Sequence, residues 1–238
     1  MSSFLSVDHS LSGRRWVGPT PETDRLAEAM AQTTRLPLPL ARILVARGVS
    51  PRDAEGFLEP TLRDLLPDPR SLKDMERAAT RFLAAINARE KIAVFADYDV
   101  DGGSSAALLI HWLRSMGRQA TLYIPDRIDE GYGPNEPAME ALARDHSLII
   151  CVDCGTLSHG PVAAAKPADV IILDHHLGGE TLPDALACVN PNRLDETGDL
   201  GHLCAASVVF LMLVEANRQL RAQDVQGPPL MALLDLVA

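Results

Sequence analysis

The chain reads Phe95-Ala96-Asp97-Tyr98-Asp99-Val100-Asp101-Gly102-Gly103-Ser104 at the end of an apolar run, and this stretch is its most informative feature. It places the carboxylates of Asp97, Asp99 and Asp101 where a strand is expected to stop. A folded protein rarely tolerates such crowded negative charge unless cations neutralise it. Clusters of oxygen ligands suit Mg²⁺ or Mn²⁺. The stretch therefore predicts a metal site that acts on phosphate.

Composition predicts a packed globular protein. Of the 238 residues, 47% are apolar and 23% are charged, which is typical of a folded core rather than of disorder. No apolar run approaches the ~20 residues that span a bilayer, and the N-terminus lacks the pattern of a signal peptide. The four cysteines do not resemble a secreted disulfide framework. The sequence therefore predicts a cytoplasmic protein with no membrane partner.

The formal net charge of −10 narrows the class of function. It argues against a simple nucleic-acid-binding module, because such modules are usually basic. It does not argue against a metal-dependent phosphoesterase, in which the metals supply the positive charge that faces the phosphate.

Beyond residue 88, short apolar runs alternate with helical patterns. Strands are predicted at 91–96, 120–124, 148–152, 170–173 and 186–189, and helices at 104–116, 136–144, 160–165 and 203–221. This alternation predicts an α/β fold, a parallel five-stranded sheet with flanking helices. Residues 21–88 carry helical spacing and helix-start signals, so a helical N-terminal segment is predicted to precede the sheet.

Three of the predicted strands end in acidic residues. The first leads into the Asp97 stretch, the third into Asp153, and the fourth into Asp174-His175-His176. Ligands in parallel sheets bind at the carboxyl ends of the strands. Neighbouring strands would therefore bring these side chains together as a centre for two divalent ions, which activate a water and clamp a phosphate. A lone acid after a strand is usually a cap, but three such ends in one chain favour the metal site.

Two shorter stretches are candidates for substrate binding. Gly102-Gly103-Ser104 opens a helix whose N-terminus could face a phosphate, although an ordinary turn and cap explains it equally well. In the loop after the second strand, Arg127 could contact a phosphate and Tyr132 could stack on a base. The alternative is a rigid turn in which Arg127 pairs with Asp126, Asp129 or Glu130, and the residues alone favour this turn.

Taken together, the acidic motifs resemble a known family. Asp97-Tyr98-Asp99-Val100-Asp101-Gly102, Val152-Asp153-Cys154-Gly155 and Asp174-His175-His176 are similar to the motifs of the DHH phosphoesterase superfamily, whose domain is Rossmann-like. Within it, the helical leader and the Arg-containing Gly-Tyr-Gly loop resemble those of the RecJ single-stranded-DNA exonucleases. The match runs from about Leu36 to the last residue.

The resemblance implies an exonuclease of DNA repair and recombination that hydrolyses single-stranded DNA from the 5′ end with two Mn²⁺ or Mg²⁺ ions. DNA-repair proteins would be its protein partners. Asp99 and Asp101 would each hold a metal, Asp153 would bridge both metals, and His175 would be a further ligand. His176 would face the scissile phosphate or orient a ligand without contacting the metal itself, and Asp97 and Asp174 would ligate or orient the ligands.

Two departures from the family pattern carry further expectations. DHH pyrophosphatases have a His at the position of Phe95, so a pyrophosphatase is disfavoured. RecJ relatives also continue past residue 238 to another metal-binding Asp and to further domains. The residues predict a flexible lead at 1–20 and a helical segment at 21–88, and the resemblance implies a DHH domain at 89–238 that is truncated at its C-terminal end.

Without that further metal-binding Asp, the two-metal site would be incomplete, and the chain alone would be weakly active or inactive. The alternatives are an inactive or partner-dependent module and a DHH oligonucleotide phosphodiesterase.

Overall fold

The computed structural model describes residues 3–237, and these residues group into two compact units. The first unit ends at Leu66 and the second begins at Pro67. The first contains four helices, α1 (Pro21–Thr34), α2 (Leu38–Ala46), α3 (Ala54–Leu58) and α4 (Leu62–Leu65). They surround a small core of Ala27, Met30, Ala41, Leu44 and Ala54. A helical segment therefore precedes the sheet, as the sequence predicts.

The second unit is built on a single sheet of five parallel strands. The strands are β1 (Ile92–Ala96), β2 (Ala120–Tyr123), β3 (Leu148–Val152), β4 (Asp169–Leu173) and β5 (Ala187–Val189). Their order in the sheet is β2-β1-β3-β4-β5. The predicted five-stranded parallel sheet is thus confirmed, and each strand differs from its predicted bounds by no more than one residue at either end.

Helices cover both faces of this sheet. They are α5 (Met75–Asn87), α6 (Val100–Ser115), α7 (Glu136–Asp145), α8 (His159–Ala164) and α9 (Ala205–Arg221). Side chains of α5, α6 and α9 share one core with alternate strand residues such as Val94 and Ile150. Side chains of α7 and α8 share the other core with Phe95 and Ile149. Strands β1, β3, β4 and β5 are buried on both faces, which explains their continuous apolar sequences, whereas the edge strand β2 is partly exposed.

Within residues 3–237, no helix has both the length and the apolar character needed to cross a bilayer. The domain boundaries predicted from the sequence stay predictions, although α5 packs within the second unit rather than with α1–α4.

The start of α6 differs from its prediction. The helix begins at Val100 rather than at residue 104, because the Asp99 side chain caps it by accepting the backbone N–H groups of Asp101 and Gly102 at 2.9 and 3.0 Å. Gly102 and Gly103 therefore lie inside the first turns and not before them. A Cβ at Gly102 would lie 2.8 Å from the carbonyl carbon of Asp97, whereas one at Gly103 would meet nothing within 4 Å.

This contrast gives a matched pair of variants. Gly102→Ala should lower the free energy of unfolding by ~1–3 kcal/mol, because the new methyl group forces α6 away from the end of β1. Gly103→Ala should leave stability unchanged or raise it by up to ~1 kcal/mol, because alanine favours the helix. Urea denaturation of both variants beside the parent chain measures the difference. Equal stabilities would show that α6 does not depend on this close approach.

Candidate metal centre

The carboxyl ends of β1, β3 and β4 bring three acidic residues into one row. Ala96 pairs with Val152, and Val152 pairs with Leu173, so Asp97, Asp153 and Asp174 occupy successive positions just past the strands. The backbone N–H of Asp153 donates to the carbonyl of Leu173 at 2.9 Å, and that of Asp97 donates to the carbonyl of Val152 at 3.3 Å. The predicted convergence of the strand ends is therefore present.

Asp97, Asp99 and Asp153 form the first of two clusters, which we call the aspartate group. One carboxylate oxygen of each lies within 4.8 Å of the others. Asp97 and Asp153 are only 2% and 1% exposed, and Oδ1 of each has no hydrogen-bond partner among the described residues. Buried, unpartnered carboxylate oxygens are costly unless a cation faces them. Their positions fit a divalent metal ion.

The electrostatics of the aspartate group follow from this burial. Burial raises the pKa of Asp153 to about 8, and the neighbouring charges of Asp101 and Asp99 contribute in the same direction. Burial also raises the pKa of Asp97. Burial acts on Asp99 too, but hydrogen bonds, the strongest from the Gly102 backbone, outweigh it and lower the pKa of Asp99. Asp99 is thus stabilised as an anion, whereas the negative charges of Asp97 and Asp153 are not compensated by the protein.

The backbone at Asp153 is also unusual. Its φ is 59°, in the left-handed region that few residues other than glycine adopt. Aspartate tolerates this region better than most side chains do. Such conformations are concentrated at functional sites, where the surrounding structure maintains them.

Asp153 also belongs to the second cluster, the histidine group, with His175 and His176. Nδ1 of His175 lies 3.1 Å from the carbonyl oxygen of Leu203, so this nitrogen carries the proton and donates. Nε2 is then an acceptor, yet it lies 3.3 Å from Oδ1 of Asp153 and 3.5 Å from Oδ2 of Asp101. Acceptors that face one another need a cation between them, and imidazoles held in this way are typical metal ligands.

His176 is oriented by Asp174 rather than by the backbone. Its Nδ1 lies 2.8 Å from Oδ1 of Asp174, and this hydrogen bond raises the pKa of His176. Burial alone would raise the pKa of Asp174, but hydrogen bonds from His176 and Thr156 outweigh it and hold that pKa at about 2. Every hydrogen bond to Asp174 thus favours its charged form, and the residue lies behind the ligands.

Asp101, a predicted ligand, has a different set of contacts. Its two carboxylate oxygens accept the backbone N–H groups of Ala205 and Ala206, at 2.7 and 2.8 Å. These residues open α9, so Asp101 caps a helix that lies 104 residues further along the chain. Oδ2 remains beside His175, but Asp101 belongs to neither cluster among the described residues.

Comparison with known proteins identifies the family. Residues 91–238 match the family described as "DHH family, N-terminal domain". The chain belongs to the DHH family.

The curated relatives of this DHH protein include RecJ exonucleases. The single-stranded-DNA-specific exonuclease RecJ of Bacillus subtilis is 38% identical over 202 residues, which are 84% of this chain and 26% of that protein. RecJ of Salmonella typhimurium is 37% identical over 227 residues, which are 91% of this chain and 38% of that protein. The chain therefore spans about a quarter to two fifths of the length of these relatives.

Solved structures agree with this assignment. RecJ of Thermus thermophilus in complex with Mn²⁺ is 25% identical, with a TM-score of 0.68, over 92% of this chain and 30% of that one. The DHH family, expected from the three acidic motifs, is confirmed, and so is the similarity to RecJ, expected from the helical leader and the Arg-containing Gly-Tyr-Gly loop.

Two asparagines of the DHH domain complete the site, although the sequence does not single them out as functional. Asn190 is fully buried, and its Nδ2 donates to Thr156 Oγ1 and to the His176 carbonyl, both at 2.8 Å. Nδ2 of Asn192 donates to the carbonyl of His175 at 2.5 Å. Each asparagine thus holds the backbone of one histidine. The Asn-Pro-Asn spacing after β5 is the only sequence signal for them.

The predicted substrate-binding residues have three different positions. Tyr132 lies at the centre, with Oη 3.2 Å from the Asp153 carbonyl and its ring edge-on to His176. Arg127 lies over the ring of Tyr98. Ser104 is half-buried in α6, and no hydrogen bond within residues 3–237 joins it to either cluster.

Removing the Asn190 amide should weaken the whole edge of the sheet. Asn190→Ala leaves the His176 carbonyl without its donor and the Asn192 N–H without its acceptor, so the free energy of unfolding should fall by ~2–3 kcal/mol. Asn87→Ala, at an exposed position on α5, should change it by less than ~0.5 kcal/mol. Thermal or urea denaturation compares the two, and a neutral Asn190→Ala would refute a supporting role.

Proposed function

We propose that this chain hydrolyses phosphodiester bonds of single-stranded DNA from the 5′ end, with Mn²⁺ or Mg²⁺ as the cofactor. The carrying observation is the convergence of five side chains in two clusters that share Asp153. The names of the relatives supply the substrate, since the RecJ proteins are described as single-stranded-DNA-specific exonucleases. A cytoplasmic location and the predicted domain boundaries remain expectations from the sequence, and DNA-repair partners remain an expectation from the resemblance.

Two ions would be held by the two clusters. Asp97, Asp99 and Asp153 would hold one, and Asp153, His175 and His176 would hold the other, so Asp153 would bridge them. Bound divalent ions neutralise phosphate charge and lower the pKa of an attacking water. Asp101 would support His175 and the start of α9, and it would come into contact with a metal only through Oδ2.

The chain's own residues would fix which nitrogen of each histidine faces the centre. Leu203 holds the proton of His175 on Nδ1, and Asp174 holds that of His176 on its Nδ1. Nε2 of His175 is then the nitrogen left for a metal, and Nε2 of His176, which lies 3.1 Å from the Tyr132 hydroxyl, would face a metal or the phosphate beside that hydroxyl. Thr156 and Asn190 maintain this arrangement by donating along the chain of hydrogen bonds to Asp174.

The surroundings of the centre favour a nucleic acid over a small inorganic phosphate. The Tyr132 ring is 54% exposed beside His176, in a position to stack on a base. Arg127 is an exposed cation on the same loop and would contact a phosphate. The metals and Arg127 would supply positive charge to a chain whose net charge is −10.

Metal binding can be tested without any assay of activity. Asp153→Asn should lower Mn²⁺ affinity at least ~100-fold, because the one residue common to both clusters loses its charge. Asn tolerates the left-handed backbone of this position, so the fold should persist. Asp145→Asn, at an exposed position at the end of α7, is the matched control. Calorimetry with equal Mn²⁺ affinity in both variants would rule out the bridging role.

The reaction itself is tested with single strands labelled at either end, in Mn²⁺. A 5′ label should appear in mononucleotides from the first cleavage, at the low rate expected of this chain alone, and a 3′ label should remain on progressively shorter strands. Asp153→Asn should leave both labels on full-length strands. Cleavage of di- and trinucleotides but not of long strands would instead favour an oligonucleotide phosphodiesterase. Mn²⁺ binding without cleavage of any of these would favour a partner-dependent module.

A further inference from the structure

Tyr98 lies inside the acidic motif that follows β1, and its ring contacts Arg127 in the loop between β2 and α7. It separates Asp97 from Asp99, and its side chain is half-buried. The central guanidinium carbon of Arg127 lies 5.3 Å from the centroid of the Tyr98 ring. This distance is within the range of a cation–π interaction. The contact joins the loop between β2 and α7 to the end of β1.

Acidic residues near Arg127 in sequence do not hold it. Within residues 3–237, Arg127 forms no ion pair. Oδ1 of Asp126 accepts the N–H groups of Ile128 and Asp129, at 2.8 and 3.1 Å. Glu130 accepts from the Tyr123 hydroxyl and from the Asn135 amide. The rigid turn expected from the sequence is present, but the pairing of Arg127 within it is absent.

The geometry leaves the donors of Arg127 available. A guanidinium carries five N–H donors in one plane, and stacking on a ring occupies a face of this plane rather than its edge. The edge can then bind an anion through two parallel hydrogen bonds. An exposed arginine without such a support would lose more rotamer freedom on binding. A ring fixed between two candidate metal ligands is therefore a suitable platform.

We propose that Tyr98 is a positioning residue, whose ring holds the guanidinium of Arg127 beside the candidate metal centre for contact with a phosphate of the DNA strand. This inference rests on the proposed function for the identity of the strand. The contact between the two side chains does not depend on that identity, so the two can fail separately.

The contact is tested first, in the 238-residue chain without DNA. In ¹⁵N spectra, the Nε–H resonance of Arg127, assigned with Arg127→Lys, should carry a ring-current shift. Tyr98→Phe retains a ring and should keep this shift, whereas Tyr98→Leu should abolish it. A resonance that Tyr98→Leu leaves in place would overturn the proposal, whatever the substrate.

The consequence is tested by binding of a 5′-phosphorylated, fluorescent single strand with phosphorothioate linkages, which slow its cleavage, in Mn²⁺. Tyr98→Leu should weaken binding by ~2–5-fold, Arg127→Ala by more, and the double variant no further than Arg127→Ala alone. Tyr98→Phe should bind like the parent. Arg127→Ala should reduce the slope of log affinity against log salt by ~0.7, which corresponds to one phosphate contact, and Tyr98→Leu should reduce it by less, because Arg127 remains.

Controls separate the possible failures. Mn²⁺ affinity should be the same in Tyr98→Leu as in the parent, and a parallel loss would show that the ring acts on the acidic motif instead. Additive losses in the double variant would show that Tyr98 and Arg127 act independently and would overturn the proposal. If the parent chain does not bind the strand at all, the proposed function fails, and the NMR result alone decides whether Tyr98 positions Arg127.

Discussion

The structure depends on the burial of three carboxylates side by side at one edge of a sheet. The register of β1, β3 and β4 allows no other arrangement, because Asp97, Asp153 and Asp174 each follow the last paired residue of a strand. Buried anions that close together are unfavourable unless each is compensated. The protein compensates Asp174 with its own donors but leaves Asp97 and Asp153 each with an unpartnered oxygen. This asymmetry distinguishes Asp174, whose charge the protein itself compensates, from Asp97 and Asp153, the candidate metal ligands.

The support extends well beyond the ligands. The Asp174 carboxylate accepts a hydrogen bond from Thr156, and the carbonyls of His176 and His175 accept hydrogen bonds from Asn190 and Asn192. The imidazole of His175 donates to the carbonyl of Leu203. These contacts come from the segments that follow β3 and β5 and from the residues just before α9. Side chains that must lie within tenths of an ångström of their working positions need such second-layer hydrogen bonds. The three short motifs therefore form the site only within the folded sheet, which holds these supporting residues in place.

Much of this could be predicted from the sequence, because the strands are continuous apolar runs and their alternation with helices indicates a parallel sheet. The acidic strand ends were expected to meet, and they do. The predicted start of α6 at residue 104 was wrong. Gly102-Gly103 suggests a turn, but the Asp99 side chain caps the helix before these glycines, so α6 begins at Val100.

Contacts between residues far apart in sequence were beyond prediction. Asp101 bonds to Ala205 and Ala206, and Arg127 lies over Tyr98, and no local pattern indicates either pairing. Asn190 and Asn192 resemble ordinary turn residues after a strand, and only the fold shows that they hold two histidine carbonyls.

The cap that Asp101 provides for α9 has a thermodynamic consequence. Helix α9 is among the most buried elements of the sheet domain. Its first two N–H groups donate to the carboxylate of Asp101, which also lies beside His175. Whatever a cation does to His175 or Asp101 is therefore transmitted to the helix that closes one face of the core. Binding of a cation at the candidate centre and cooperative folding of the domain would then be coupled equilibria, linked through α9.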